Sequence, residues 1–199
     1  MTKKITTSEI KKLREKTGAG MLEAKTALEE ARGDAERAVE LLRKKGILKA
    51  GKKAQRATRQ GTIDAYIHGE GRIGVMLEVN SETDFVARNQ VFKNLVHDLA
   101  LHIAASAPSY ISRADVPAAV VAKEKEIYEA AAAAEGKPGA VREKIVTGRL
   151  EKFYQEVCLL EQPFVREPKI TVQDLLNQKI AILGENIQIR RFTRYVLGE

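Results

Sequence analysis

The spacing of apolar residues changes period twice along the chain, and those changes divide it. From residue 7 to 45 it is helical. "SEIKKLREK" carries Ile10 and Leu13 on one face and runs into "TGAG", whose two glycines break the pattern. A second helix is predicted from Met21 to Ala31, with Leu28 and nearby alanines inward and Glu23, Lys25, Glu29 and Glu30 outward. Gly33 ends it, and Asp34 is placed to cap a third, in which Ala35, Ala38, Val39 and Leu42 recur. Three short, alanine-rich helices over residues 1–45 predict a bundle with a small core, because few large side chains are on hand to fill it. Residues 46–60, starting at Gly46, read as a partly helical basic connector.

The period then falls to two. "GTIDAYIHGEGRIGVMLEVN", residues 61–80, reads as a hairpin around "HGEGR", with Ile63, Ala65 and Ile67 on one face of its first strand. Ile73, Val75, Leu77 and Val79 share a face of the second. The end of the chain, residues 186–198, supplies a third strand to an antiparallel sheet. Tyr66, Met76, Phe192 and Val196 make the other faces partly apolar, so both sides of the sheet are expected to be covered, and a second chain could supply the cover. Helical spacing returns at 84–105, where Phe85, Phe92, Leu95, Val96, Leu99, Leu101 and Ile103 predict one amphipathic helix. From Val116 to Leu160 two helical patterns flank "EGKPG" and predict an antiparallel helical hairpin. Five alanines at 130–134 suggest that this hairpin is slender and projects from the body. "QPFVREP" reads as an extended loop, followed by a last helix from Thr171 to Leu183. The class is α+β, with a three-helix module, a core domain over 61–199, and the helical hairpin at 116–160 within it.

Composition narrows the functions open to such a fold. At 199 residues with 44% apolar and 31% charged side chains, the chain has enough material for a sizeable core and no run of about 20 apolar residues to span a membrane. "MTKKITTSEI" has lysines without an apolar segment after them, so a cytoplasmic protein is expected. A single cysteine, Cys158, rules out an intramolecular disulfide and is expected to be a buried structural thiol. The net charge of +7 is uneven: residues 1–60 hold 17 Lys and Arg against 8 Asp and Glu. Arg43, Lys44, Lys45, Lys49, Lys52, Lys53, Arg56 and Arg59 follow one another with no acid between them, a block that would attract phosphates or an acidic protein surface.

Catalytic constellations are missing from this pattern. His68, His97 and His102 fall in no metal-ligand motif, and the five-residue step from His97 to His102 puts them about 140° apart on a helix. The glycines of "GEGRIG" lie inside a hairpin rather than between a strand and a helix, so they form no dinucleotide fingerprint. No P-loop or nucleophile elbow occurs, and no cofactor or metal is expected. These features describe a binding protein. In "SETDFVARN", Ser81 and Asp84 have capping-box spacing, which would start a helix and fold Phe85 into the core. Spacing alone equally admits a phenylalanine presented to a partner.

Taken together, "LREKTGAGMLEAKTAL", "GDAERAVELLRKKG", "LEVNSETDFVARN", "HIAAS", "GKP", "GRLEKF", "LLEQPFV" and "GENIQIRRFTRYVLGE" resemble, in order, the motifs of the bacterial elongation factor Ts family over nearly the whole chain. The resemblance implies a first module similar to ubiquitin-associated domains, and a guanine-nucleotide exchange factor for the translation GTPase elongation factor Tu, with no enzymatic chemistry of its own. It implies that Arg14, Met21, Leu22 and Lys25 contact a helix of the GTPase domain. Thr83, Asp84, Phe85 and Val86 would form the other contact, Asp84 and Phe85 intruding near the partner's magnesium and phosphate loops. GDP, GTP and magnesium would belong to the partner, and neither nucleic acid nor membrane would be bound directly. Longer family members carry a second sheet-containing segment, whereas here the helix after "TDFVARN" continues directly into "HIAASAPSY". This short form implies a homodimer and a two-plus-two complex. The competing reading from charge alone is a basic RNA- or ribosome-binding accessory protein, although aromatics are only 5% and no RNP-like or KH-like signature occurs.

Overall fold

The computed structural model describes residues 5–136 and 138–199; residues 1–4 of the first predicted module and Lys137 of the predicted "EGKPG" turn lie outside them. The chain divides into two units, one formed by Met1–Tyr66, Met76–Ala100 and Asp174–Thr193, the other by Ile67–Val75, Leu101–Gln173 and Arg194–Glu199. An α+β architecture results, with helices first and a three-stranded antiparallel sheet packed by helices.

In the first unit, α1 (Thr7–Thr17) opens with Thr6 and Glu9 in a reciprocal capping box. Gly18 closes it in the left-handed region at φ 67°, where its N–H reaches the Arg14 carbonyl at 2.7 Å. A Cβ there would stand 2.6 Å from Ile182 Cδ1, so this turn needs glycine for both its conformation and its closeness to that side chain. Next come α2 (Met21–Glu30) and α3 (Ala35–Lys53), the latter capped by the Asp34 carboxylate. Ile10, Leu13, Ala24, Ala27, Leu28, Ala31 and Ala38 form the core of the three helices, a small one as the alanine content predicts. Ala35, expected inward, is exposed on the first turn of α3.

Gly46 was expected to begin a connector, yet α3 runs through it without a break. This glycine is buried, and a Cβ on it would meet Ala181 at 3.7 Å, so it marks a close approach of α3 to α8 (Val172–Leu183). Arg43 donates to Asp174 on α8, and Lys53 donates to the Gly184 carbonyl just past the end of that helix.

The sheet has the order β1-β2-β5, from β1 (Gln60–His68), β2 (Ile73–Ser81) and β5 (Ile187–Val196). Val75, Leu77 and Val79 are buried on the central strand. The sides of β1 are the reverse of the apolar pattern: Thr62, Asp64 and Tyr66 are half-buried, whereas Ile63 and Ile67 are exposed. His97 accounts for the inward polar side, its ring edge-on to Tyr66 at 5.6 Å and its Nδ1 3.6 Å from Asp64 Oδ2. On β5, Arg190 and Arg191 are both exposed, so the inward phase shifts from Ile187 and Ile189 to Phe192, Arg194 and Val196.

The helix predicted over 84–105 is two helices, a single turn α4 (Asp84–Ala87) and a long α5 (Gln90–Ser106). Asn89 interrupts them, its side-chain oxygen accepting the Val91 N–H at 2.8 Å and so capping α5 afresh.

In the second unit, α6 (Ala118–Ala134) and α7 (Gly139–Val157) form the expected helical hairpin, with Ala132 and Val146 buried. Arg113 sits over the Tyr154 ring at 4.5 Å while bonding Glu151 and Glu161, which fastens the segment before α6 to the end of α7 and the turn after it. "QPFVREP" is not an unpaired loop: β3 (Pro163–Phe164) pairs antiparallel with β4 (Glu167–Thr171). A two-stranded ribbon has two open edges, where prolines forfeit no ladder bond, and burial of Phe164 seats it.

Candidate functional site

At α4 the chain makes a short helix with two unlike sides. Val86 and Ala87 are buried and hold it down, while Asp84 and Phe85 face solvent, Phe85 with 86% of its surface exposed. Leaving a phenylalanine outside forgoes roughly 1.5–3 kcal/mol of burial, so the position is unfavourable for the isolated chain. The helix is capped by Thr83, whose hydroxyl accepts the Val86 N–H at 3.4 Å. Ser81, expected to be that cap with Asp84 as its partner, is fully buried at the end of β2 and donates instead to the Thr83 carbonyl at 2.9 Å. Asp84 pairs along the helix with Arg88 at 3.0 Å.

Three residues that the motif reading left without a role tie this turn down, Glu185 and Asn186 just before β5 and Glu82 beside Thr83. Glu185 receives the Thr83 N–H at 3.0 Å and the Thr83 hydroxyl at 2.6 Å. Glu82 receives the Asn186 N–H at 2.6 Å, so the two segments exchange bonds in both directions. Buried Asn186 also donates its amide to the carbonyls of Ala54 and Arg56, just beyond α3. The only sequence signal of Glu185 and Asn186 is "GEN" before the last strand, about 100 residues away from the turn it holds.

The other implied contact residues lie around the α1–α2 turn. Arg14 is exposed and its Nε reaches the Ala19 carbonyl at 3.3 Å, while Met21 and Leu22 are exposed on the first turn of α2. Lys25, one turn on, is paired loosely with Glu29 at 3.8 Å. Two exposed apolar side chains thus stand beside two cations on this surface.

The basic block is largely engaged within the chain. Arg43 bonds Asp174, Lys45 bonds Glu30 at 2.8 Å, Lys49 bonds Glu23, Lys53 bonds a carbonyl, and Arg56 lies 3.5 Å from Glu82. The four carboxylate pairings lower the charge offered to an external phosphate, while the Lys53 bond occupies a donor without cancelling its charge.

His102 and Cys158 are both buried. The Val165 N–H donates to His102 Nδ1 at 3.2 Å, which leaves Nε2 as the protonated nitrogen donating to Gln162 Oε1 at 2.9 Å. Burial pushes the imidazole pKa below its ordinary value, against the smaller opposing effect of Gln162. Burial likewise pushes the Cys158 thiol up to about 11, which makes it a structural group and a poor nucleophile. Among the described residues, no three His, Cys, Asp or Glu side chains gather as metal ligands, and no helix is long and apolar enough to cross a membrane.

Comparison with known proteins decides the family. The family model described as elongation factor TS matches residues 2–199. The chain belongs to the elongation factor Ts family. Family relatives include elongation factor Ts of Acetivibrio thermocellus, 60% identical over 195 residues that cover 98% of this chain and 91% of that protein. The corresponding proteins of Carboxydothermus hydrogenoformans and Moorella thermoacetica are 59% and 60% identical over the same length, covering 90% and 96% of their own chains.

Proposed function

We propose that this chain is a non-enzymatic guanine-nucleotide exchange factor that releases GDP from elongation factor Tu in the cytoplasm, with Asp84 and Phe85 as the intruding pair. Membership in the elongation factor Ts family supports the partner, and the observation carrying the mechanism is Phe85, held outward on a capped and clamped turn. Arg14, Met21, Leu22 and Lys25, on a ubiquitin-associated-like module, grip a helix of the GTPase domain. Phe85 then enters a pocket on the partner and recovers the burial that it lacks in the free chain. With the aromatic lodged near the phosphate and magnesium loops, the nucleotide loses backbone hydrogen bonds and metal charge, and GDP leaves. Thr83 and buried Val86 seat the turn rather than enter the pocket.

Linkage sets a limit on this scheme. If the exchange factor lowers GDP affinity, GDP must lower the exchange factor's affinity by the same ratio, so turnover runs through a ternary complex dominated by neither ligand. The direct test is release of labelled GDP from elongation factor Tu with and without this protein. Acceleration is expected; an unchanged release rate contradicts the proposal. Engagement of Arg43, Lys45, Lys49, Lys53 and Arg56 inside the chain speaks against an RNA-binding role for the basic block.

The working form is a homodimer, two factors with two GTPases. Its support is the apolar side that each strand leaves exposed: Ile63 and Ile67 on β1, Met76 on β2, and Tyr195 at the end of β5, followed by Leu197. A second copy would cover such a face, which is too apolar for a free sheet surface. Light scattering at micromolar concentration should return twice the chain mass, and a monomer mass would contradict it.

A further inference from the structure

The clamp on the α4 turn is built more strongly than a surface loop requires. Thr83 is exposed, yet both of its donors are taken by one carboxylate, and the reciprocal bond from the Asn186 N–H to Glu82 ties the same two segments a second time. Asn186 is itself buried and fixed by two carbonyls beyond α3, so the clamp is anchored to the body of its unit. Only a four-residue helix depends on it, and that helix contributes two small buried side chains, Val86 and Ala87. What it does hold is the direction of Phe85.

We propose that Glu185 is a positioning residue for nucleotide exchange: by binding both donors of Thr83 it fixes the α4 turn, and with it the outward angle of Phe85, before the partner arrives. This rests on the exchange function proposed above. A rigid turn meets the partner's pocket without an ordering cost at each encounter, and an unclamped turn must be ordered at the moment of insertion. The effect therefore falls on the maximal exchange rate, which depends on insertion, more than on the protein concentration giving half of it.

A cycle of Glu185→Ala, Phe85→Ala and the double variant tests this, with labelled GDP release from elongation factor Tu as the readout and full-length chains throughout. Glu185→Ala alone is expected to lower the maximal rate by about fivefold or more, and to change it little once Phe85 is already alanine. Glu185→Gln, which keeps one acceptor for the Thr83 N–H, should restore part of the rate. Equal losses from Glu185→Ala in both backgrounds, or no loss in either, overturn the proposal. Hydrogen exchange of the Val86, Ala87 and Arg88 amides, which are bonded within the turn, reports on the clamp in the free protein without any partner. Loss of two charge-assisted bonds predicts about tenfold faster exchange there in Glu185→Ala, while unchanged protection overturns the clamp. Should Phe85→Ala leave GDP release at the wild-type rate, the wedge reading falls, and the role of Glu185 in exchange falls with it; faster amide exchange would then show a clamp serving structure alone.

Discussion

Phe85 and Phe92 stand seven residues apart, a spacing that puts two side chains on one face of a continuous helix, yet Phe92 is fully buried and Phe85 is 86% exposed. The difference lies between them. Asn89 restarts the helix, so the direction of α4 is independent of α5, and the Thr83 cap with its Glu185 clamp then sets it. One phenylalanine stabilises the chain; the other is kept out of it. A short polar interruption thus converts a periodic apolar pattern into a core residue and a presented one.

The largest effect that sharpens this comparison is Phe92→Ala, which should cost about 3–5 kcal/mol in a denaturant titration, because it removes a fully buried ring from the core and leaves a cavity. Acid comes next. The folded-state pKa of His102 lies below its unfolded value, so the unfolded chain binds the proton first. Stability from this group is complete above about pH 6.5 and declines as pH falls from there toward the folded-state value. Urea midpoints at pH 7.5 and 5.5 should therefore differ more for the wild type than for His102→Asn. Smaller still, Asn89→Ala removes the α5 cap and should cost about 1 kcal/mol by thermal denaturation. A loss near that of Phe92→Ala would mean that the interruption is part of the core rather than a seam.

Much of the architecture was legible because its signals are local. Gly18, Gly33 and Asp34 punctuate the three helices where the pattern places them, and strict alternation finds β1 and β2. What stayed hidden depended on distant partners. Gly46 resembles a helix stop until Ala181, 135 residues further on, shows it to be a contact. Alternation gives the two faces of β1 but not which one His97 covers. Spacing points to Ser81 as the cap, and the shift to Thr83 follows from burial of Ser81 and from Glu185, about 100 residues away. Prolines in "QPFVREP" argued for a loop because a ribbon with two open edges is the exception to their exclusion from sheets. The outward direction of Phe85 came from family resemblance rather than from local pattern.

The central claim is that Phe85 serves the partner and not the fold, and one variant measured in two ways tests it. Phe85→Ala should lower the rate of GDP release from elongation factor Tu by about tenfold or more, the scale of one lost aromatic burial of roughly 1.5–3 kcal/mol, and should leave the melting temperature of the free protein unchanged. An undiminished release rate, or a stability loss as large as that of Phe92→Ala, would contradict it.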